Sequence, residues 1–229
     1  VKGEQLALSV QLRSTASFDT YFAGPNEAAL AALRELHDSP IGGIYLFGPD
    51  GVGKSHLLLA TARHFQQQGL RVAYLPLANF AERPIELLDG ADEADLLALD
   101  DLDIVSADRD WAYALIRRFD KLRANQRRWL VSASHATDRL DCAIPDLRTR
   151  LHQSARFGLR ALDDADRSRW LRENALARGL ELPDEAARWL IHHLPRDAAS
   201  LIAALDTLDR ASLSAKRRLT LPFVQKTLG

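Results

Sequence analysis

The stretch "GPDGVGKSH" (Gly48–His56) lies between an apolar run, "IGGIYLF" (Ile41–Phe47), and an amphipathic segment from Lys54 to about Gln68. Gly48, Gly53, Lys54 and Ser55 carry the spacing G-x-x-x-x-G-K-S, with Gly51 as a third glycine inside the loop. Glycines let backbone N–H groups turn inward around phosphate oxygens, and a following helix adds the positive end of its dipole. In that arrangement Lys54 reaches the terminal phosphates of a nucleotide and the Ser55 hydroxyl ligates Mg²⁺. Val52 and His56 belong to the same cradle. An apolar strand, a phosphate loop and a helix, in that order, indicate an α/β fold with a parallel sheet.

A second motif supports this reading. In "LLALDDLD" the apolar residues Leu96–Leu99 read as a buried strand that delivers Asp100 and Asp101 to its carboxyl end. Open α/β sheets bind ligands there. Asp100 is expected to hold Mg²⁺ through water, and Asp101 to orient or activate an attacking water. The competing reading is a plain acidic loop, because Asp89, Asp92, Glu93, Asp95, Asp103 and Asp108 are close in sequence.

Further strands are expected at "LRVAYLPLA" (Leu70–Ala78), "RRWLVSAS" (Arg127–Ser134) and "SARFGL" (Ser154–Leu159), which makes five. After Leu159 the strand pattern stops and amphipathic helices follow at three- and four-residue apolar spacing. Pro222 suits the first turn of a last short helix. The expected organisation is an arm over 1–16, an α/β nucleotide-binding core over 17–160 and an all-helical lid over 161–229. The whole chain has 229 residues, 47% apolar and 27% charged, with a formal charge of −1. That balance gives no global attraction to nucleic acid or to an anionic membrane. The single cysteine, Cys142, excludes an intrachain disulfide framework and fits a reducing compartment. No apolar run approaches the roughly 18 residues of a membrane span, and the start of the chain lacks a basic-then-apolar leader. A cytoplasmic protein is expected.

"FDTYFAGPNEAALAAL" (Phe18–Leu33), the phosphate loop, "LLALDDLD" and "PDLRTRL" (Pro145–Leu151), in this order, resemble the DnaA/Hda family of AAA+ ATPases. The segment Glu181–Val224, "ELPDEAARWLIHHLPRDAASLIAALDTLDRASLSAKRRLTLPFV", is similar to the lid of its regulatory Hda branch. The resemblance covers nearly the whole chain. It implies an AAA+ P-loop NTPase core with a five-stranded parallel sheet and a small helical lid. Two features favour the regulatory branch over the initiator. The sequence ends soon after the lid, without room for the helix-turn-helix domain that initiators carry. In addition, "EQLALSV" (Glu4–Val10) resembles the arm by which the branch docks into the hydrophobic pocket of the DNA polymerase sliding clamp. Gln5, Leu6, Leu8 and Val10 would be its anchors, and an extended arm with spaced apolar side chains is able to fill such a groove. The alternative is an edge strand or a tail.

The resemblance also implies roles for single residues. The family's arginine finger falls on Arg150, with Arg148 the nearby competitor; a guanidinium there spreads charge over a transferring phosphoryl group. The plain alternative is a surface arginine paired with Asp146 or Asp141. The polar sensor after the fourth strand falls on Ser134, followed by His135. The lid arginine of the initiator falls on Ala199, with Arg196 one turn earlier, a departure that favours holding ADP. Phe22, Ala23 and Asn26 are expected nearest the adenine, although Phe18, Tyr21 and Phe22 also suit core packing. The basic run Arg117–Arg128 reads as a solvated helix face, or else as a contact for DNA phosphates or for an acidic partner surface. Trp111, Trp129, Trp170 and Trp189 read as core. The implied function is a negative regulator of replication initiation. It binds ADP or ATP with Mg²⁺, reaches DNA through the clamp, stimulates hydrolysis of DnaA-bound ATP and has little ATPase of its own, and a homo-oligomer is compatible with it. An autonomous ATPase and an adaptor that tethers another protein to DNA are the alternatives.

Overall fold

A computed structural model describes residues 16–40, 42–80, 84–195, 198–215 and 217–229. The chain divides into two compact units, the first ending at Arg160 and the second running from Ala161 to Gly229.

The first unit is built on β1 (Gly43–Phe47), β2 (Val72–Pro76), β3 (Leu96–Asp100), β4 (Arg128–Ala133) and β5 (Ala155–Gly158). All pairings are parallel, and the strand order is β2-β3-β4-β1-β5. The expected five-stranded parallel core is therefore present; β1, β2, β4 and β5 are each shorter by a residue or more than the stretch expected, and β3 extends one residue past Leu99 to Asp100. The helices in chain order are α1 (Glu27–Arg34), α2 (Lys54–Gln67), α3 (Asp103–Ser106), α4 (Arg109–Ala124) and α5 (Pro145–His152).

Successive side chains of a strand point to opposite faces. Ile44, Leu46, Leu96, Ala98 and Leu130 therefore face one way and pack with Leu33 of α1 and Leu57, Leu58 and Phe65 of α2. Tyr45, Leu97, Leu99, Trp129 and Val131 face the other way, against Trp111, Leu115 and Phe119 of α4 and Leu147 and Leu151 of α5. With both faces covered, a strand reads as an unbroken apolar run, and all five residues of β3 are buried. Each fully buried leucine contributes about 1.5–3 kcal/mol relative to an exposed one. That burial fixes the sheet whose carboxyl edge carries the site.

Helix ends follow their capping chemistry. The Asp108 carboxylate accepts the N–H groups of Asp110 and Trp111 at 2.8 and 3.0 Å, opening α4. Gly69, at φ +78°, supplies the left-handed residue after α2.

The second unit contains α6 (Asp164–Ala177), α7 (Asp184–His193), α8 (Ala198–Ala215) and α9 (Leu221–Leu228). Trp170, Leu171, Leu190, Ile191, Leu201, Leu205, Leu208 and Val224 are its core. Asp163 caps α6 by accepting Asp166 N–H at 2.7 Å, and Pro222 lies in the first turn of α9. Trp111, Trp129 and Trp170 are buried; Trp189 is half-buried and stacks on His193 with ring centroids 4.4 Å apart. Among the described residues no helix is long and apolar enough to cross a membrane.

Candidate nucleotide site

β1 ends at Phe47, the loop Gly48–Gly53 follows, and α2 begins at Lys54. Gly53 caps the helix at φ +93°, a conformation that costs other L-residues about 1–2 kcal/mol. A Cβ there would also stand 2.7 Å from the Tyr21 ring. At Gly48 the constraint is close approach: a Cβ would stand 2.6 Å from the Leu159 carbonyl oxygen. The loop backbone thus takes a path that side chains would block, as a cradle of N–H groups at a helix amino end requires. Gly51 is exposed with open space around it, Val52 is buried and Ser55 is exposed.

Lys54 is buried, and its ammonium Nζ donates to the carbonyls of Gly48 and Pro49 at 2.8 and 3.1 Å. Asp50 adds an ion pair at 3.7 Å. The lysine charge is therefore held at the loop, aimed by loop backbone.

The amino-terminal flank of the site is pinned by polar contacts. His56 Nε2 lies 3.0 Å from the Ser17 carbonyl, which only accepts, so that nitrogen carries the proton. Tyr21 donates its hydroxyl proton to the Val52 carbonyl at 3.3 Å and accepts from Asn26 at 3.1 Å. Burial pushes the Tyr21 phenol up, with the Asn26 bond opposing. The buried Asn26 amide also donates to the Arg160 carbonyl at 3.0 Å and accepts Arg160 N–H at 2.8 Å. Asn26 thus ties the flank to the end of the first unit, while Phe22 and Ala23 beside it are half-buried.

At the end of β3, Asp100 is buried and Asp101 half-buried. Asp101 has φ +61°, an uncommon backbone for a non-glycine residue. Its N–H donates to Ser132 Oγ at 2.9 Å, and Leu102 N–H donates to the Ser132 carbonyl at 2.8 Å. Burial pushes the Asp101 carboxyl above the usual range and the Asp100 charge adds to that, while Lys54 opposes it. The Asp100 carboxylate accepts from Tyr74 Oη at 3.0 Å and from Ser132 Oγ. Neither hydroxyl stands out in the sequence, because each sits inside an apolar strand and meets Asp100 only through the sheet register.

Ser134 follows β4 and is exposed; its N–H donates to Asp103 Oδ2 at 2.7 Å. His135 Nδ1 lies 3.6 Å from the other Asp103 oxygen, and the His135 carbonyl accepts from Tyr45 Oη at 2.7 Å. Asp103 therefore orients the segment that carries Ser134. For a divalent cation, the Ser55 hydroxyl and the Asp100 carboxylate are hard oxygen donors of the kind Mg²⁺ takes together with water and phosphate. Among the described residues no cluster of three or more His, Cys, Asp or Glu forms a metal cage.

Arg150 lies on α5 with its side chain 27% exposed. Its Nη2 donates to Asp120 Oδ2 at 3.3 Å and lies 3.8 Å from Asp146 Oδ2. Nε is 3.0 Å from Asp120 Oδ1 but points off the line of a hydrogen bond, so the contact there is ionic. Arg148 turns inward and donates to the Leu140 carbonyl at 2.9 Å. Within the basic run, Arg118 donates to the Leu88 carbonyl, Arg123 to Gln153, and Arg128 to the carbonyls of Leu36 and His37. Much of that run is thus tied down within the unit. Ala199 lies in α8. Gln5, Leu6, Leu8, Val10 and Arg196 lie outside the described residues.

A cavity of about 620 Å³ in the second unit is lined by Leu176, Leu180, Leu182, Leu219, Arg169 and Arg218 among others. It contains none of the phosphate-loop residues.

The model of the bacterial DnaA ATPase domain matches residues 12–161, and that of the Hda lid domain matches residues 164–228. Domain III of the Thermotoga maritima replication initiation protein DnaA is 20% identical over 93% of this chain and 95% of its own, with a TM-score of 0.67. AMPPCP-bound DnaA from Aquifex aeolicus is 21% identical over 87% of this chain and 67% of its own, with a TM-score of 0.70. The Thermotoga maritima RuvB Holliday junction branch migration motor is 17% identical over 95% and 72%, with a TM-score of 0.63. At these identities the structures share the fold, and the family models carry the assignment. A DnaA-type ATPase domain over more than half of the sequence, followed by an Hda-type lid, makes this chain a member of the DnaA/Hda family of AAA+ proteins.

Proposed function

We propose that the chain is a negative regulator of replication initiation that binds an adenine nucleotide, docks on the DNA-loaded sliding clamp and presents Arg150 to ATP held by DnaA. Hydrolysis of that ATP then switches initiation off. The observation that carries this reading is the setting of Arg150: it is ion-paired on α5 to Asp120 and Asp146, none of them phosphate-loop residues. An arginine held by exchangeable surface carboxylates suits delivery to a neighbour's phosphates, where such a finger is worth about 10³–10⁵ in rate.

In the chain's own site, the loop Gly48–Gly53 and the α2 amino end cradle the phosphates of ADP or ATP, and Lys54 neutralises them. Ser55 and Asp100 would hold Mg²⁺, which would supply charge that neutralises the phosphates. Phe22 and Ala23 would border the adenine, with Asn26 fixing that wall, and Ser134 would face the phosphate end. Ala199, where the initiator has an arginine, favours a resident ADP. Gln5, Leu6, Leu8 and Val10 would anchor the arm in the clamp, so DNA contact is mainly indirect.

Turnover of DnaA-bound ATP, followed with clamp loaded on DNA, tests the proposal. Wild type is expected to accelerate it and Arg150→Ala to lose the effect; undiminished acceleration by the variant would sink the assignment. Asp101 favours a second reading, an autonomous ATPase, because it follows Asp100 directly at the carboxyl end of β3, where a carboxylate can orient an attacking water. Steady-state hydrolysis by the isolated protein that disappears in Lys54→Ala would establish that activity instead.

A further inference from the structure

Tyr74, Asp100 and Ser132 come from β2, β3 and β4, three adjacent strands. By strand alternation all three project from the face covered by α2, the side of Tyr74, Leu96, Ala98 and Leu130. Tyr74 pairs with Ala98 in the register, two residues before Asp100. Ser132 lies one step beyond the Leu99–Val131 pair, alongside Asp100. The sheet therefore brings two hydroxyls to one carboxylate from opposite sides. Tyr74 Oη donates to Oδ2 and Ser132 Oγ to Oδ1. All three residues are buried, Asp100 at 3%, Ser132 at 0% and Tyr74 at 8% exposure. The same Ser132 oxygen accepts the Asp101 N–H.

An ionised carboxylate offers about four acceptor sites. The two hydroxyls fill one on each oxygen, which fixes the carboxylate's rotation and leaves the others for water around a cation. We propose that Tyr74 and Ser132 are positioning residues for the Mg²⁺ of the nucleotide site: they set the angle of the Asp100 carboxylate, and Ser132 ties it to the Asp101 backbone. The inference rests on the reading of Asp100 as the group that holds Mg²⁺. A buried carboxylate needs donors for stability alone, so the test must separate positioning from folding.

The measurement is the affinity for a fluorescent ADP analogue, in EDTA and across a Mg²⁺ titration. The proteins are wild type, Tyr74→Phe, Ser132→Ala, Ser132→Thr and, as the ceiling of the effect, Asp100→Asn. In EDTA wild type, Tyr74→Phe, Ser132→Ala and Ser132→Thr are expected within about twofold of one another. The Mg²⁺ concentration at half effect should rise about 10–100-fold in Tyr74→Phe and Ser132→Ala, while Ser132→Thr, which keeps the hydroxyl, should stay near wild type. Tyr74→Phe removes one oxygen and keeps the ring, so it carries the test if Ser132→Ala does not fold. An unchanged Mg²⁺ requirement overturns the positioning role and leaves the nucleotide site standing. Equal weakening with and without Mg²⁺ also overturns it, because that is the mark of a structural contact. A wild-type protein that binds no ADP, or binds it without regard to Mg²⁺, removes the underlying reading and the inference with it.

Discussion

Asp100 and Arg150 are charges of one domain, and the fold holds them in opposite ways. Asp100 is buried, at the end of a central strand, and accepts hydrogen bonds from two hydroxyls that are themselves buried. Arg150 extends from α5 to Asp120 and Asp146, whose side chains are each 49% exposed. Buried hydrogen bonds are little screened, and an unpaired partner there is costly. Exposed ion pairs contribute about 0–1 kcal/mol and give way to competing charges. A group that sets metal geometry needs the first arrangement, and a group to be handed to another subunit needs the second. The difference becomes measurable when each side is perturbed.

The largest effect is expected on the fixed side, at Gly48. A Cβ would meet the Leu159 carbonyl oxygen at 2.6 Å, and Leu159 is held in place by its own N–H bond to the Phe47 carbonyl at 2.7 Å. Backbone cannot yield there as a side-chain tip would. Gly48→Ala should cost about 1–3 kcal/mol, with a Tm loss of roughly 2–4 °C per kcal/mol, and should abolish nucleotide binding. Thermal unfolding and an ADP titration read both. A variant that keeps its Tm and binds ADP would show that the loop is as pliable as the arginine.

The sequence discloses these two regions unequally. The centre of the sheet is legible because β1 and β3, covered on both faces, read as apolar runs, and the phosphate loop because its chemistry demands adjacent residue types. Asp100 follows from standing at the end of such a run. Tyr74 and Ser132 are hidden: whether a hydroxyl inside a strand reaches its neighbour's carboxylate depends on strand order, register and facing. Asp120 is hidden for a related reason, since helix packing brings it to Arg150 across 30 residues of sequence. Asn26 and Arg160, 134 residues apart, are joined in the same way. In the run Arg117–Arg128, where Arg117, Lys121 and Arg123 are exposed, charge composition does not reveal that Arg118 and Arg128 donate to backbone carbonyls.

Asp101 sits between the two extremes, half-buried and raised in pKa by burial and by Asp100. Because the native pKa lies above the unfolded one, the fold favours the protonated form. That contribution is fully present below the ordinary carboxylate range near about 4 and is lost as pH rises through the raised native value. At pH 7 the charge is therefore a burden, reduced by solvent screening at a half-exposed group. Asp101→Asn keeps a side chain that tolerates the left-handed backbone. It should raise Tm at pH 7 by about 2 °C, a gain that shrinks toward pH 4. A pH-independent difference would trace the strain to the backbone instead.

The smallest effect is expected at the arginine itself. A double-mutant cycle with Asp120→Asn and Arg150→Ala should give a coupling of about 0.2–0.5 kcal/mol, fading as salt shortens the screening length to about 3 Å at 1 M. In the DnaA-bound ATP assay the same substitutions should separate sharply. Asp120→Asn loosens the guanidinium while leaving it in place and should retain or increase the stimulation, whereas Arg150→Ala should abolish it. A salt-insensitive coupling above about 2 kcal/mol would mean that Arg150 is fixed as firmly as Asp100. In that case the arginine could reach another subunit's nucleotide only with Asp120 carried along, and the carboxylate's negative charge would oppose the phosphate contact that the finger is meant to make.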